Sequence, residues 1–226
     1  MISFENVSKL YAPRTMAVKN VSLTLEQGEF VSLVGTSGAG KTTLIKLLIA
    51  QEKPTVGAIR VGQIEVTKLR NGQIPYLRRQ LGVVFQDFKL LFHKTVFENV
   101  AFALEVCGAP PARIAHVVPA VLDIVGLAEK AHHFPYQLSG GEAQRVVIAR
   151  ALVHQPHIVI ADEPTGNLDR LNANDVIDTL LRVNELGATV VLVTHNREIV
   201  NGLKKRVVTM EHGEIVADKE KGRYAI

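Results

Sequence analysis

The fold of this chain is decided by residues 35–43, which read Gly35-Thr36-Ser37-Gly38-Ala39-Gly40-Lys41-Thr42-Thr43. The spacing is that of a phosphate-binding loop: a glycine, four residues, a glycine, a lysine and a hydroxyl residue. Glycines let the backbone curl so that its N–H groups converge on an anion. Lys41 can reach the β- and γ-phosphates of a nucleotide, Thr42 can ligate Mg²⁺, and Thr43 can donate to the α-phosphate. This phosphate loop therefore predicts a nucleoside triphosphate site with Mg²⁺.

The residues on either side favour the same interpretation. Residues 30–34 are apolar and rich in strand formers, and residues 42–49 carry apolar side chains at helical spacing. A strand, a glycine-rich turn and a helix would bring the phosphates to a helix N-terminus, which attracts negative charge. The plain alternative is a glycine-rich turn that binds nothing, and the flanking strand and helix argue against it.

Bulk composition indicates one large domain, or a domain with a subdomain. The chain has 226 residues, 47% of them hydrophobic, and a net charge of +4, which carries no argument for nucleic-acid binding. Its single cysteine excludes an internal disulfide and favours a reducing compartment. It has neither a signal-peptide pattern nor about 18 uninterrupted apolar residues, so we expect any membrane role to come through a partner.

Strand and helix patterns alternate along most of the chain, which predicts an α/β domain with a parallel core. The first third is rich in strands apart from the phosphate-loop helix, and residues from about 88 to 137 are predicted to form a helical insertion. Strands are predicted at 2–7, 18–25, 30–34, 58–66, 81–85, 158–163, 189–193, 206–210 and 214–216. Helices are predicted at 42–49, 74–80, 96–106, 114–125 and 174–186, and from the 138–142 segment to about 153. Tyr11 is expected in a loop after the first strand.

Polar residues follow four of these strands, where ligands gather in open α/β sheets. The phosphate loop follows one strand, and Gln86, the Asp162-Glu163 pair and His195 end three others. We therefore expect all four groups at one edge of the sheet. The alternative for the carboxylate pair and for Gln86 is a solvated turn, and for His195 it is a structural histidine.

Each of these side chains has an expected role in hydrolysis. Asp162 suits Mg²⁺, reached through water. Glu163 is placed to accept a proton from an attacking water, and His195 to hydrogen-bond the γ-phosphate. Gln86 would position the metal or the water. The predicted catalytic residues are thus Glu163, His195, Gln86 and Lys41, and the predicted metal ligands are Thr42, Gln86 and Asp162.

The order of the motifs resembles that of an ABC-type ATPase domain, and the resemblance covers nearly the whole chain. Besides the groups above, it rests on the signature segment Leu138-Ser139-Gly140-Gly141-Glu142 and on Asn167-Leu168-Asp169. It implies a P-loop NTPase fold of one domain, residues 1–226. That fold has a mainly parallel core sheet, an N-terminal antiparallel β subdomain, and an inserted α-helical subdomain at about 88–153 that contains the signature segment.

In that family two domains pair head to tail with ATP between them. The resemblance then implies that Ser139, Gly140, Gly141 and Glu142 contact the ATP of the other subunit, and that Asn167, Leu168 and Asp169 form the D-loop. Tyr11 corresponds to the aromatic residue that stacks on adenine, with an ordinary loop tyrosine as the alternative. Alone, Ser-Gly-Gly before a helix is only an N-cap pattern.

Within the family, residues 75–87 and Glu142, where glutamine is commoner, are most similar to the FtsE type of cell-division ATPase. That similarity implies an ATP-driven homodimer, an integral membrane partner resembling FtsX, contacts with other division proteins, and a place at the cytoplasmic face of the inner membrane. The pair would regulate peptidoglycan hydrolysis. Alternatives are the ATPase of a lipoprotein-releasing (LolD-like) or MacB-like efflux transporter, a soluble non-transport ABC protein, or a nucleotide switch with negligible turnover.

Overall fold

The computed structural model describes residues 1–224, which form two β-sheets and seven α-helices. The strands are β1 (Ile2–Tyr11), β2 (Thr15–Leu25), β3 (Phe30–Gly35), β4 (Val56–Val61), β5 (Ile64–Glu65), β6 (Leu81–Val84), β7 (Ile158–Asp162), β8 (Thr189–Val193), β9 (Arg206–Glu211) and β10 (Glu214–Lys219). The helices are α1 (Lys41–Leu48), α2 (Ile74–Arg78), α3 (Val96–Val106), α4 (Pro111–Ile124), α5 (Gly140–Leu152), α6 (Arg170–Glu185) and α7 (Arg197–Leu203). Short 3₁₀ turns cover Val66–Lys68, Asn71–Gln73, Ala128–Lys130 and Pro135–Gln137.

The two sheets differ in strand direction. One is antiparallel, with the order β2-β1-β4-β5. The other has the order β10-β9-β3-β8-β7-β6, and only β10 runs antiparallel to its neighbour. The predicted α/β fold, with a mainly parallel core sheet and an antiparallel N-terminal sheet, is confirmed.

Strand β7 shows why the core strands read as continuous apolar runs. Val159 and Ala161 face a cluster with side chains of α3, α4, α5 and α6. Ile158 and Ile160 face the opposite cluster, which includes α1 and the antiparallel sheet. All four are buried. Because apolar layers cover both faces of the sheet, hydrophobic and polar residues do not alternate along the strand.

Helices α3, α4 and α5 fall within the stretch predicted as the helical subdomain, residues 88–153. Helix α3 packs on α4 and α5, and α5 also contacts β6 and α6. One cluster of buried side chains therefore joins this helical group to the sheet.

The first strand departs from its prediction. It extends to Tyr11 instead of ending at Val7, so Tyr11 pairs with Thr15 across a hairpin and does not lie in a loop. The strand register shifts between Phe4 and Val7. Asn6 has a positive φ of 50° and is exposed, so Val7 takes the buried position. An irregular ladder of this kind moves a residue to the other face of a strand.

Other elements also depart from their predicted limits. The stretch 58–66 forms two strands, β4 and β5, because Gly62 makes a turn between them with φ 55°. Helix α6 begins at Arg170 and not at Asn174, because Asp169 caps it. Helix α7 was missed because it has only seven residues and contains Gly202, and glycine is a weak helix former.

Candidate functional site

The phosphate loop joins the end of β3 to the start of α1. Gly40 is the N-cap of α1, with a φ of 102° that disfavours side chains. A Cβ atom at Gly40 would overlap the carbonyl oxygen of Ala17 on β2. At Gly35 it would overlap the carbonyl oxygen of Met210 on β9. The loop is thus held between two strands at positions that leave no room for a side chain.

Lys41 points back into this loop. Its Nζ donates to the carbonyl oxygens of Gly35, at 2.8 Å, and Thr36, at 3.0 Å. Burial lowers the pKa of Lys41, while the charges of Glu163 and Asp162 act to raise it. Lys41 is therefore a buried amine, and the neighbouring carboxylates favour its charged form. Binding of a triphosphate requires a cation at this position. Thr36, Ser37 and Gly38 are exposed, Ala39 is buried, and Thr43 is half-buried behind the exposed Thr42.

Strand pairing brings the four predicted groups to one edge of the parallel sheet. Strands β3, β8, β7 and β6 are consecutive neighbours and run in the same direction. Their carboxyl ends therefore lie side by side, and we call them the catalytic edge. The phosphate loop, His195, the Asp162-Glu163 pair and Gln86 follow these strands in that order.

Asp162 lies close to the phosphate loop. Burial and the charge of Glu163 raise its pKa, while Lys41 and a hydrogen bond with the Thr42 side chain lower it. The structure therefore brings together a hydroxyl and a carboxylate that were expected to hold Mg²⁺. Magnesium in nucleotide sites uses one or two carboxylates and fills its other positions with phosphate oxygens and water. Thr42 and Asp162 fit this donor set.

Glu163 contacts His195 across neighbouring strand ends. Its Oε1 lies 2.8 Å from Nδ1 of His195. The backbone of Glu163 has a φ of 49°, and its N–H donates to the carbonyl of Val193 at 2.8 Å. A left-handed conformation costs a side-chain-bearing residue about 1–2 kcal/mol. The side chain of Glu163 is 16% exposed and that of His195 is 68% exposed, so the histidine forms the solvent side of the pair.

Gln86 lies over the turn that follows β7. A Cβ atom at Gly166 would come within 3.3 Å of Gln86 Nε2, and the N–H of Gly166 donates to the carbonyl of Glu163. The amide thus faces the turn that carries the carboxylate pair. Gln86 itself is exposed.

The signature segment forms the N-terminus of α5. Ser139 caps the helix: its Oγ accepts the N–H of Glu142 at 3.3 Å, and Glu142 Oε2 accepts the N–H of Ser139 at 2.8 Å. The other oxygen of Glu142, Oε1, pairs with Lys130 Nζ at 2.8 Å. Ser139 and Gly140 are exposed, so this helix end faces solvent.

The D-loop is a neighbour of the signature segment in the same chain. Leu168 packs so close to Gly140 that a Cβ there would lie 3.1 Å from its Cδ2, and Asn172 leaves no room for a Cβ at Gly141. Asp169 caps α6 and accepts hydrogen bonds from the backbone and side chain of Asn172. Asn167 is exposed beside them.

The sequence reasoning missed Asn172 and Lys130. The spacing of Asp169 and Asn172 is that of a helix N-cap and the third residue after it, and this pattern could have indicated Asn172. Lys130 is twelve positions from Glu142, and no local sequence pattern indicated their contact.

Tyr11 lies at the hairpin that closes β1 and β2. Its ring is half-buried, and Lys9 Nζ lies 4.9 Å from the ring centroid. Thr15 pairs with Tyr11 across the hairpin. Two residues further along β2, the carbonyl oxygen of Ala17 lies against Gly40. The hairpin that carries this aromatic therefore continues into the part of β2 that contacts the phosphate loop.

Comparison with known proteins identifies this arrangement. The ABC transporter family matches residues 18–166, which include the phosphate loop, the signature segment and the carboxylate pair. The chain belongs to the ABC transporter family. Within residues 1–224 of this ABC cassette, no helix is both long and apolar enough to cross a membrane.

Curated relatives resemble the cassette along its whole length. It is 53% identical over 224 residues to the cell division ATP-binding protein FtsE of Bacillus subtilis, covering 99% of this chain and 98% of that protein. It is 48% identical over 227 residues to FtsE of Mycobacterium tuberculosis, covering 100% and 99%. The expected resemblance to the FtsE type is confirmed.

Solved structures share its fold. The cassette aligns with a dimeric structure of the ABC transporter cassette MJ0796 at a TM-score of 0.88 and 35% identity, covering 99% of this chain and 100% of that one. A post-hydrolysis dimer of MJ0796 bound to ADP and Pi aligns at 0.84 and 33% identity, with the same coverage. The cassette is an ATP-binding and ATP-hydrolysing enzyme of the FtsE type, as the motifs predicted.

Proposed function

We propose that this ATPase works in cell division as a head-to-tail homodimer that closes on MgATP and drives an integral membrane partner resembling FtsX. The partner would hold it at the cytoplasmic face of the membrane and relay its cycle to peptidoglycan hydrolases, together with other division proteins. The relatives named FtsE are cell division ATP-binding proteins, and the cassette matches them over nearly its full length. This similarity favours the division role over a LolD-like or MacB-like transporter.

In each half-site the phosphate loop binds the β- and γ-phosphates through its N–H groups and Lys41, and Tyr11 stacks on the adenine. Thr42, Asp162 and Gln86 are the residues that would hold Mg²⁺, with Asp162 acting through water. When bound, Mg²⁺ neutralises charge on the β- and γ-phosphate oxygens.

The observation that carries the hydrolytic mechanism is the 2.8 Å contact between Glu163 and His195 at the catalytic edge. Water attacks the γ-phosphorus, the bond to the bridging oxygen of ADP breaks, and Glu163 accepts the proton that the water releases. His195 can hydrogen-bond a γ-phosphate oxygen through its other ring nitrogen, Nε2. The products are ADP and phosphate.

Dimerisation would supply the other wall of the site. In each subunit Ser139 and the N–H groups of Gly140 and Gly141 lie at an exposed helix N-terminus, which suits an anion. Two copies arranged head to tail would place this helix end against the γ-phosphate held by the partner. The MJ0796 structures, which share the fold, are dimeric, and this supports dimerisation of the cassette.

A groove beside Gln86 is our candidate contact for the membrane protein. It has a volume of about 780 Å³ and lies between α2, β6, α3 and α5, with Phe85, Phe102 and Val106 among its walls. Arg78, Arg79 and Arg150 line it as well. Apolar walls with basic residues fit an amphipathic helix that carries acidic side chains. Gln86 directly follows Phe85, so an occupant of this groove would lie next to the catalytic edge.

The enzymatic proposal is tested with Glu163→Gln. We expect ATP binding to persist, turnover to fall by roughly three orders of magnitude, and a dimer to accumulate with MgATP. Phosphate release and light scattering measure these effects. Glu198→Gln is the matched control, since Glu198 is an exposed carboxylate on α7. Unchanged turnover would contradict the role of Glu163, and a strictly monomeric variant at saturating MgATP would contradict the head-to-tail dimer.

The partner is tested by purification from membranes. We expect the tagged cassette to retain an FtsX-like protein, and Arg79→Glu in the groove to weaken that retention. Lys219→Glu, on β10 and outside the groove, is the control. Retention of a lipoprotein-releasing or efflux permease instead would favour the alternative transporters.

A further inference from the structure

The signature segment contains an electrostatic conflict. On the head-to-tail scheme of the proposed function, the N-terminus of α5 receives the γ-phosphate of the partner's ATP. Glu142 places a carboxylate in the first turn of that same helix. A carboxylate at this position competes with an incoming anion for the positive end of the helix and repels it.

Lys130 lies where it can remove this conflict. Its Nζ is 2.8 Å from Glu142 Oε1, and the opposite oxygen, Oε2, accepts the N–H of Ser139 at 2.8 Å. One carboxylate thus connects the lysine to the residue that caps the helix. The Lys130 hydrogen bond is the largest influence lowering the pKa of Glu142, so the pair is a charged one.

The position of Lys130 is fixed by the fold. It ends the 3₁₀ turn Ala128–Lys130, which follows the buried Leu127. The next residues return to α3, since the carbonyls of Ala131 and His133 accept the N–H groups of Phe97 and Val96 at 2.8 Å. The side chain of Lys130 is 38% exposed and that of Glu142 is 20% exposed, so the pair is partly shielded from water. Shielding strengthens such a pair relative to a fully exposed one.

We propose that Lys130 is a positioning residue for ATP hydrolysis: it neutralises Glu142 and holds the capping interaction, so that Ser139 and the α5 N-terminus accept the partner's γ-phosphate. Lys130 does not touch the nucleotide. It acts through Glu142 on Ser139, within one subunit. The ATP in question is bound by the phosphate loop of the other subunit.

The test uses Lys130→Ala, Glu142→Gln and the double variant. Glutamine can cap the helix as glutamate does but carries no charge. Lys130→Ala should lower kcat about tenfold, because it leaves an unneutralised carboxylate at the helix end. The affinity of the monomer for ATP should not change. Glu142→Gln gives the reference rate for a helix end without the carboxylate, and adding Lys130→Ala to it should lower kcat no further, since the conflict is then absent.

Two controls separate charge from folding. Lys130→Arg keeps the charge and should keep the activity. Lys68→Ala removes a lysine from another Lys–Glu pair, with Glu65 at 3.0 Å, and should leave kcat unchanged. Thermal melting of every variant reports whether it folds.

Two kinetic outcomes would overturn the inference. A double variant about tenfold slower than Glu142→Gln would mean that Lys130 acts through the fold and not through the charge of Glu142. Full activity of Lys130→Ala would mean that no neutralisation is needed.

Failure of the underlying dimer is recognised separately. Light scattering of Glu163→Gln with saturating MgATP reports the dimer without any change at Lys130. A monomer there removes the basis of both proposals. A dimer there, combined with either kinetic outcome above, overturns the role of Lys130 alone.

Discussion

Two helix N-termini of the cassette, those of α1 and α5, are proposed to receive an anion, and they are built differently. At α1 the N-cap is Gly40, without a side-chain cap, and the buried Lys41 donates to carbonyl oxygens of its own loop. At α5 the N-cap is Ser139, whose side chain caps the helix, and the nearby lysine is bound to Glu142. The lysine at the first helix end can therefore bind a phosphate, whereas the lysine at the second is already paired with a carboxylate. We infer that α1 binds nucleotide in a single subunit and that α5 serves only as the second wall.

The strongest challenge to this comparison is Lys41→Ala. We expect it to abolish ATP binding, because the loop then has no cation for the β- and γ-phosphates. Equilibrium binding of a fluorescent ATP analogue measures the effect. Lys46→Ala, in the last turn of the same helix, is the control and should bind normally. An unchanged affinity of Lys41→Ala would show that the phosphate loop has been misassigned.

Ser139→Ala tests the opposite half of the comparison. It should slow hydrolysis by about tenfold or more through loss of a phosphate contact in the dimer, yet leave the affinity of the monomer for ATP intact. Steady-state phosphate release and monomer binding measure the two quantities. A large loss of monomer affinity would place Ser139 in the site of its own subunit.

Helix α3 offers a matched control for that experiment. Thr95 caps α3 with Glu98 through the same reciprocal hydrogen bonds that join Ser139 to Glu142. Thr95→Ala and Ser139→Ala should each lower the free energy of unfolding by about 1 kcal/mol, since each removes one cap. Only the second should slow hydrolysis. Equal losses of activity would assign both effects to helix stability.

The smallest expected effect concerns pH. The pKa of Glu142 is lowered in the folded protein, chiefly by Lys130, so its charged form favours folding. That stabilisation is present above the ordinary glutamate pKa of 4.5 and is lost as the pH falls through the lowered value. Melting curves should therefore show the wild type more stable than Glu142→Gln at neutral pH, with the gap closing in acid.

Local sequence patterns predicted much of the fold and of the candidate site. Helix α3 and strand β8 have the predicted limits, 96–106 and 189–193, because apolar spacing and flanking residues act over a few positions. The shared edge for Gln86, the Asp162-Glu163 pair and His195 was predictable too, because parallel strands expose their carboxyl ends on one side. The 2.8 Å contact between Glu163 and His195 then depends on a backbone turn with positive φ that no local pattern indicated.

The sequence by itself predicted where the nucleotide chemistry resides: the phosphate loop, the carboxylate pair and the signature segment are each contiguous, so their residue types and spacing suffice for the prediction. Tertiary structure alone decided which distant residues support them. Lys130 reaches Glu142 across twelve positions, Asn172 packs on Gly141 across thirty-one, and Ala17 and Met210 exclude side chains from the loop. Such contacts depend on how helices and strands pack, and packing is set by burial of the whole core, which no short stretch of sequence encodes.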